Sequence, residues 1–380
     1  MGQHFRILFL ADSHLGLDLP VRPRSTRRRR GHDFLANYAR ALVPALAGEV
    51  DAVVHGGDVF DRSRITPSLA YQAMEPLVRI AQRGIPVFVV PGNHERSRLP
   101  HVRFADHAGI HVFDRPRTYH VDICGQRIAF AGFPYERKNV RARFSELLSS
   151  TEWKPDAANA SFLCIHHCVE GATVGPGNFV FTHAPDVIRG REIPAGFVAV
   201  LSGHIHRHQV LTRDLNGARL PAPVLYPGSI ERTATAEIGE RKGFLILDVK
   251  TGTPQPAMQW EFHELPARPM IIRELSIDKA DSSTLNRNLR RLIAGVPADA
   301  VLSIRVVGEV NEHALNAFSA RNLRTLVPAT MNVHLTLPDR ARWNRRPARR
   351  QPDAVLELPF PVTNPWSPRT ISHSAISRRP

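Results

Sequence analysis

Cysteines and long apolar runs are scarce in this sequence. Three cysteines among 380 residues cannot make a disulfide framework, and they fit a reducing compartment. No stretch approaches about 18 consecutive apolar residues, which excludes an apolar membrane-spanning helix. The first apolar run is short and contains an arginine, unlike the core of a signal peptide. We therefore expect a cytoplasmic protein without a membrane partner.

A nucleotide-binding loop is missing as well. Gly175 and Gly177 lie close together, but no Gly-Lys-Ser/Thr sequence follows them, as a phosphate-cradling P-loop would require. The sequence therefore gives no support for ATP binding by this chain.

Acidic side chains are outnumbered by basic ones. The chain carries 50 lysines and arginines against 35 aspartates and glutamates, a formal net charge of +15. A surplus of this size favours a polyanionic partner such as DNA, RNA or anionic lipid. An arginine-rich composition with a basic tail would give the same sum, so the distribution along the chain matters more than the total.

Two segments concentrate the positive charge. Residues 340–380 hold nine arginines against two acidic residues, with seven prolines and no sustained apolar period. This composition predicts a disordered, basic, proline-rich tail over 339–380, in which VLELPFPV (355–362) is a candidate docking motif. The second segment, VRPRSTRRRR (21–30), holds six arginines. It could contact phosphates or could be a solvated basic loop.

Short apolar runs alternate with amphipathic stretches between residues 5 and 250. Five runs have the length of buried strands, at 5–11, 51–56, 85–92, 161–166 and 195–204. Helical periodicity appears at 33–47 and at 68–84, the latter closed by Gly84. This alternation predicts an α/β layered fold. Residues 207–264 change to strands alone, and we place a first domain at 1–264.

The composition changes near residue 265, where two prolines occur close together. The pattern that follows predicts strand, helix, strand, helix and strand, with the second helix running over 312–327 in one piece. We interpret residues 268–338 as a small α+β domain.

Polar residues of metal-ligand type follow each of the five apolar runs. The clusters are Asp12-Ser13-His14, Gly57-Asp58-Val59-Phe60-Asp61, Gly92-Asn93-His94-Glu95, His166-His167 and Gly203-His204-Ile205-His206. The carboxyl ends of parallel strands open onto one crevice, so we expect the clusters to converge there. Their mixture of carboxylate, amide and imidazole suits Mn²⁺, Fe²⁺ or Zn²⁺ better than Mg²⁺. The number of candidate ligands is too large for one tetrahedral ion and predicts two ions that share a carboxylate.

The order of these clusters resembles the calcineurin-like metallophosphoesterase superfamily, over roughly residues 5–250. One branch, the SbcD-type nuclease subunits of DNA double-strand-break repair complexes, is the most similar. The segments that carry this similarity are ADSHLG (11–16), YPGSIERT (226–233), KGFLILDV (242–249) and the small domain after them. The resemblance implies a layered metallophosphoesterase β-sandwich flanked by helices, with the small domain as a capping domain.

The resemblance also implies a role for each motif residue. One metal ion would be held by Asp12, His14, Asp58 and His206, and the other by Asp58, Asn93, His166 and His204. His94 would stabilise or protonate the leaving oxygen, and Asp61 would orient His94. Of the adjacent His166 and His167 only one can face the site, because a strand alternates its faces. We favour His166, the first residue after the apolar run.

Substrate and partners follow from the same resemblance. It implies two divalent metal ions, with Mn²⁺ favoured, and DNA as the substrate of an exonuclease or endonuclease. It also implies a separate SbcC-type coiled-coil ATPase and a homodimer as partners. The proline-rich tail departs from this pattern, because it lacks the amphipathic helix with which such subunits bind their ATPase.

Two other functions are compatible with the sequence. A phosphomonoesterase or a small-molecule phosphodiesterase could use the same fold and metal site. A non-catalytic scaffold is disfavoured because every expected ligand is present. Basic residues beside the motifs, including Arg96 and Arg98, favour DNA, although they could also be ordinary exposed loop charges.

Overall fold

A computed structural model describes residues 4–18, 29–102, 106–252, 256–278, 281–309 and 312–337. Most of the basic segment 21–30 lies outside the described residues. The predicted tail 339–380, with its segment 355–362, lies outside them too.

Strands dominate the described part of the chain. In chain order they are β1 (His4–Leu10), β2 (Ala52–His55), β3 (Val87–Val89), β4 (Ile110–Val112), β5 (Arg117–Ile123), β6 (Gln126–Gly132), β7 (Ala160–Ile165), β8 (Cys168–Val169), β9 (Thr173–Val174), β10 (Phe179–Val180), β11 (Val187–Ile188), β12 (Ala199–Ser202), β13 (Gln209–Arg213), β14 (Arg219–Tyr226), β15 (Gly243–Lys250), β16 (Ala257–Glu264), β17 (Met270–Ser276), β18 (Val301–Val307) and β19 (Asn332–Thr336). The helices are α1 (Arg30–Ala41), α2 (Val43–Ala47), α3 (Pro67–Gln82), α4 (Val140–Ser149), α5 (Ser282–Ala294), α6 (Glu312–Ala317) and α7 (Ala320–Leu326). Each described helix is too short or too polar to cross a membrane.

Two six-stranded sheets pack face to face. The first has the order β16-β15-β1-β2-β3-β4, and the second has the order β13-β14-β12-β7-β6-β5. Strands β1 to β4 run parallel in the first sheet, as do β6, β7, β12 and β14 in the second. The predicted α/β layered sandwich is confirmed.

Aromatic side chains fill the space between the sheets. Phe88 stacks on Phe130 with ring centroids 4.0 Å apart, and Phe130 stacks on Phe162 at 5.4 Å. Helices α1 and α3 cover the outer face of the first sheet, and α4 packs into the core on the outer face of the second. Because helices cover the parallel strands, these strands are apolar on both faces, which explains their uninterrupted apolar runs in the sequence.

Helix α3 shows how the sequence fixes one of these covering elements. Thr66 caps its first turn, since the hydroxyl accepts a hydrogen bond from the amide of Leu69 at 3.3 Å. Pro67 occupies the first helical position, where a missing N–H costs nothing. Gly84, which the sequence predicted to close the helix, adopts a φ of 83° just after it. Between these ends, a stripe of apolar residues at helical spacing is buried against the sheet.

A third, three-stranded parallel sheet has the order β17-β18-β19 and its own apolar core with α5, α6 and α7. The single helix predicted over 312–327 is wrong, because the helix ends at Ala317 and restarts at Ala320. Ser319 begins the new helix, and its hydroxyl accepts a hydrogen bond from the amide of Asn322 at 3.3 Å. The helix predicted over 33–47 is likewise divided, at Leu42. Pro44 lacks the amide hydrogen that an unbroken helix would need there.

Arg268 joins this third sheet to the first sheet's helices. Its guanidinium is buried and lies 3.0 Å from the carboxylate of Asp33 on α1. The same group donates to Asn332 Oδ1 at 2.5 Å and to the carbonyl of Thr330 at 2.6 Å. A buried arginine is tolerated here because its donors meet acceptors on both sides.

Candidate metal centre

The loops that follow β1, β2 and β3 are hydrogen-bonded to one another. The amides of Asp12 and His14 donate to the carbonyls of Gly57 and Asp58, both at 2.9 Å. The amide of Val90 donates to the carbonyl of His55, also at 2.9 Å. Main-chain bonds therefore hold the first three sequence motifs side by side.

Four of the predicted ligands adopt left-handed backbone conformations. The φ angles are 51° for Asp12, 43° for His14, 51° for Asp58 and 81° for His204. A non-glycine residue in this region costs on the order of 1–3 kcal/mol and persists only where its surroundings enforce it. Such clustering of strained residues is typical of functional sites.

Two glycines allow the loops to approach the cluster closely. A Cβ atom at Gly92 would lie 2.1 Å from Asp58 Oδ1. A Cβ atom at Gly57, where φ is 107°, would lie 2.3 Å from His166 Nδ1. Both distances are far below van der Waals contact, so any side chain at either position would displace a candidate ligand.

A first group of donors consists of Asp12, His14 and His206. Their ligand atoms lie within 4.8 Å of one another. Nε2 of His14 is 3.0 Å from Nε2 of His206. Asp12 Oδ1 lies 3.9 Å from the first of these nitrogens and 3.8 Å from the second. One carboxylate oxygen and two imidazole nitrogens therefore converge on one point.

A second group consists of Asn93, His166 and His204. The amide oxygen of Asn93 lies 3.0 Å from His166 Nε2 and 2.9 Å from His204 Nδ1. On the other side of its ring, His166 Nδ1 lies 2.8 Å from the carbonyl of Gly56. That carbonyl can only accept, so it holds a hydrogen on Nδ1 and leaves Nε2 to face the cluster.

Asp58 lies between the two groups. Its Oδ2 is 3.9 Å from His14 Nε2 in the first group and 3.3 Å from His166 Nε2 in the second. Its Oδ1 accepts a hydrogen bond from the amide of His94 at 2.9 Å, which fixes the rotation of the carboxylate. The geometry therefore places one carboxylate oxygen within reach of both groups.

His94 lies at the exposed edge of this cluster, with 38% of its side chain accessible. The role predicted for Asp61, to orient His94, stays a prediction, and the shorter contact between the two residues is made by the main chain of Asp61. Nδ1 of His94 lies 2.7 Å from the main-chain carbonyl oxygen of Asp61 but 4.0 Å from its carboxylate. That carboxylate instead lies 3.3 Å from the guanidinium of Arg62. The loop turns so that the carbonyl, rather than the side chain, faces the ring.

His167 lies outside the cluster although it is fully buried. Its Nε2 accepts a hydrogen bond from the amide of Glu136 at 2.9 Å, and its ring stacks on Tyr135 at 4.9 Å. In the connection between β7 and β8, His166 therefore points towards Asp58 and His167 towards Tyr135.

Burial and neighbouring charges shift the pKa values of the side chains in the cluster. It raises the pKa of Asp12 to about 6 and lowers the pKa of His204 to about 3. Burial is the strongest influence on His166 and acts to lower its pKa, but Asp58, Asp12 and the carbonyl of Gly56 together raise this pKa to about 9. Burial would raise the pKa of Asp58, yet the imidazole of His166 holds it below its usual range. Carboxylates this deeply buried need a compensating positive charge.

The donor set fits divalent cations. Carboxylate oxygens, one amide oxygen and imidazole nitrogens are the ligands that Mn²⁺, Fe²⁺ and Zn²⁺ accept. A cation would also supply the positive charge that the buried carboxylates require. The described residues therefore offer a suitable chemical environment for metal ions.

Two buried carboxylates beside the cluster were not predicted from the sequence. Buried Glu95 accepts hydrogen bonds from the amides of Phe60 at 2.8 Å and Gly92 at 2.7 Å, which ties the second and third loops together. Its burial, followed by the charge of Asp58, raises the pKa of Glu95 to about 8. Glu95 belongs to the third sequence motif, so its place in the sequence could have indicated that it lies beside the cluster. Glu237 contacts His206 from a segment without any motif, and no sequence signal indicated it.

His55, on β2, supports the loop between two candidate ligands. Its Nδ1 accepts a hydrogen bond from the amide of Gly57 at 3.2 Å, so the ring hydrogen is on Nε2. Nε2 lies 2.8 Å from the hydroxyl of Ser13, which stands between Asp12 and His14 in the chain. Burial, reinforced by the charge of His166, lowers the pKa of His55 to about 3.

Two arginines of the basic segment 21–30 are structural rather than exposed. Arg29 and Arg30 are 8% and 3% accessible. Arg29 forms a salt bridge with Asp18, and Arg30 lies 3.0 Å from the carboxylate of Asp33. The expectation that all six arginines could contact phosphates is wrong for these two, because their guanidinium groups pair with buried or half-buried carboxylates.

Comparison with known proteins identifies the class. Residues 5–208 match the family described as calcineurin-like phosphoesterase, and the chain belongs to this family. The family implies divalent metal ions, for which the cluster above supplies the donors.

Curated relatives share sequence with a large part of this chain. The chain is 24% identical over 306 residues to the DNA double-strand break repair protein Mre11 of Methanopyrus kandleri, across 76% of this chain and 62% of that protein. It is 29% identical over 277 residues to the D component of the nuclease SbcCD of Bacillus subtilis, across 65% of this chain and 67% of that protein. A solved structure, TT1561 of Thermus thermophilus, aligns with a TM-score of 0.41 at 11% identity, across 68% of this chain and 99% of that one. The predicted enzyme class, a metal-dependent phosphoesterase, is confirmed by the family.

Proposed function

We propose that this chain hydrolyses phosphodiester bonds of DNA with two divalent metal ions, Mn²⁺ being favoured, as a nuclease subunit in double-strand-break repair. One observation carries the proposal. Asp58 Oδ2 lies 3.9 Å from His14 Nε2 and 3.3 Å from His166 Nε2, so one oxygen is shared by two groups of metal donors. Two-ion sites of phosphatases and nucleases need two such adjacent groups.

In this proposal each donor group holds one ion. Asp12, His14, Asp58 and His206 would hold the first, and Asp58, Asn93, His166 and His204 the second. When bound, the cations supply Lewis-acid activation of water and neutralise charge on the phosphate. The left-handed loops and the close approach of Gly57 and Gly92 keep the donors in place before the ions arrive.

His94 acts in this proposal as the proton donor to the leaving oxygen. The carbonyl of Asp61 holds a hydrogen on Nδ1, so Nε2 is the nitrogen that gains and loses a proton. The partial exposure of His94 allows a phosphodiester to approach this ring from solvent, and Nε2 lies 3.9 Å from Asp58 Oδ2. A positioned general acid typically contributes about 10²–10⁴-fold in rate.

Exposed arginines beside the site support a polyanionic substrate. Arg62 and Arg64 follow Asp61 in the chain, and Arg96 and Arg98 follow His94. Each phosphate contact by such a residue adds salt-dependent affinity. The names of the Mre11 and SbcCD relatives favour DNA as the polyanion.

The wider assembly is also part of the proposal. The Bacillus subtilis relative is named as one subunit of SbcCD, which favours an SbcC-type ATPase as partner. A homodimer and a cytoplasmic location stay predictions. We propose that the third sheet corresponds to the capping domain placed at 268–338.

Hydrolysis assays test this function. We expect the full chain with Mn²⁺ to cleave linear duplex, hairpin or single-stranded DNA, and His94→Ala to lower the rate by at least 100-fold while metal binding persists. His120→Ala, which alters an exposed histidine on β5, is the matched control and should cleave at the parental rate. Hydrolysis of bis-p-nitrophenyl phosphate without any cleavage of DNA would instead indicate a small-molecule phosphodiesterase.

A further inference from the structure

Glu237 contacts a candidate metal ligand from outside the five sequence motifs. It ends a short 3-10 turn, Thr235–Glu237, in the segment that connects β14 to β15. Its Oε1 lies 3.0 Å from Nδ1 of His206. The opposite nitrogen of that ring, Nε2, is the one that lies 3.0 Å from His14 Nε2 in the first donor group.

The carboxylate of Glu237 is itself held in place. The hydroxyl of Thr233 donates to Oε1, and the amide of Thr233 donates to Oε2 at 3.2 Å. The ammonium of Lys242 lies 2.6 Å from Oε2. Lys242 is fully buried, and its ammonium also donates to the carbonyl oxygen of His206 at 2.9 Å. One buried cation therefore ties the carboxylate to the histidine that it contacts.

We propose that Glu237 is a positioning residue that fixes the ring orientation and the tautomer of His206. A carboxylate can only accept hydrogen bonds, so it holds the ring hydrogen on Nδ1 and leaves the lone pair of Nε2 for the metal. Loss of such a contact typically lowers metal affinity by about 10–100-fold. This inference rests on the proposed two-metal function.

The chain offers a matched control for this residue. Glu240 accepts a hydrogen bond from the same Lys242 ammonium at 2.9 Å, but its other oxygen faces the guanidinium of Arg207 at 3.3 Å instead of His206. Glu237→Gln and Glu240→Gln therefore each remove one carboxylate from Lys242, and only the first alters the contact with His206. Glu237→Asp retains the charge opposite Lys242 and withdraws it from the ring by one methylene.

Titration of the metal-free full chain with Mn²⁺, followed by calorimetry, tests the inference. We expect two sites in the parent protein. In Glu237→Gln one site should weaken by about 10–100-fold while the other keeps its affinity. Glu237→Asp should show the same loss at one site, and it decides the matter if Glu237→Gln does not fold. Glu240→Gln should bind both ions like the parent.

Three results would contradict the inference or the proposed function, and each has a different meaning. Parental affinity at both sites in Glu237→Gln or Glu237→Asp would show that His206 needs no such partner. Equal weakening in Glu237→Gln and Glu240→Gln would assign the effect to the buried Lys242 ammonium and so overturn the inference. A parent protein that binds fewer than two ions would overturn the proposed function itself.

Discussion

His94 Nδ1 lies 2.7 Å from the main-chain carbonyl oxygen of Asp61, closer than the 4.0 Å that separate it from the Asp61 carboxylate. The main chain therefore holds the tautomer of the proposed proton donor. Because this carbonyl is present whatever the side chain, Asp61→Asn should retain the hydrolysis rate within about tenfold. His94→Ala should lose at least 100-fold. Single-turnover cleavage of a labelled duplex measures both. A loss in Asp61→Asn as large as that in His94→Ala would show that the carboxylate orients the ring.

A methyl group at Gly92 should disable the metal site. Its Cβ would lie 2.1 Å from Asp58 Oδ1, so the carboxylate shared by both donor groups must move. We expect Gly92→Ala to weaken binding of both ions by at least tenfold, as measured by Mn²⁺ titration. Gly295→Ala is the control, since a Cβ there meets no atom within 4 Å. Undisturbed binding in Gly92→Ala would mean that the loop adjusts without moving Asp58.

His55 should make the stability of the metal-free protein depend on pH. Burial lowers its pKa from 6.5 to about 3, so the folded state disfavours the charged ring. Stability from this group is complete above about pH 6.5 and is lost as the pH falls towards 3. Between pH 7 and pH 5 the loss is about 2 kcal/mol, from about 1.4 kcal/mol per pKa unit.

Urea unfolding of the parent and of His55→Gln at these two pH values isolates this contribution. The variant should be less stable at pH 7, because the hydrogen bonds to Ser13 and Gly57 are altered, but its stability should fall less between pH 7 and pH 5. Parallel pH profiles for the two proteins would assign the pH dependence to other groups.

The exposed arginines after His94 should contribute to DNA binding without sequence preference. Replacing Arg96 and Arg98 by alanine removes two phosphate-binding side chains in this account, so affinity should fall alike for unrelated sequences. The slope of log affinity against log salt should decrease by about 1 for each arginine replaced. The control variant replaces exposed Arg213 and Arg219, on β13 and β14, and changes the net charge equally. Equal losses of affinity in both variants would indicate a general charge effect rather than a specific surface.

Local patterns in the sequence predicted the α/β layered fold and its motif loops, and the family resemblance implied the sandwich. Apolar runs indicated β1, β2, β3, β7 and β12, although not β6, and polar residues directly after these runs indicated where the strand ends meet. Contacts made by main-chain atoms could not be predicted in this way, because they do not depend on the residue type. The residue letters at Asp61 cannot show that its carbonyl, rather than its carboxylate, faces His94. The break between α6 and α7 depends on the Ser319 hydroxyl, which caps the first turn of α7. The sequence did not indicate this break, because the apolar period continues through Ser319.

The contact between Glu237 and His206 could not be predicted from the sequence either. Glu237 is 31 residues from His206 and belongs to an irregular connection with no repeating pattern. Only the fold of the segment between β14 and β15 brings its carboxylate to the ring. Contacts made by residues of such a connection can be identified from the structure but not from the sequence.

The two-metal site can be examined by anomalous X-ray scattering from crystals of the full chain soaked in Mn²⁺. We expect two manganese peaks, one beside Asp12, His14 and His206 and one beside Asn93, His166 and His204, with Asp58 between them. A single peak, or manganese bound away from Asp58, would contradict the two-metal site on which the proposed nuclease activity depends.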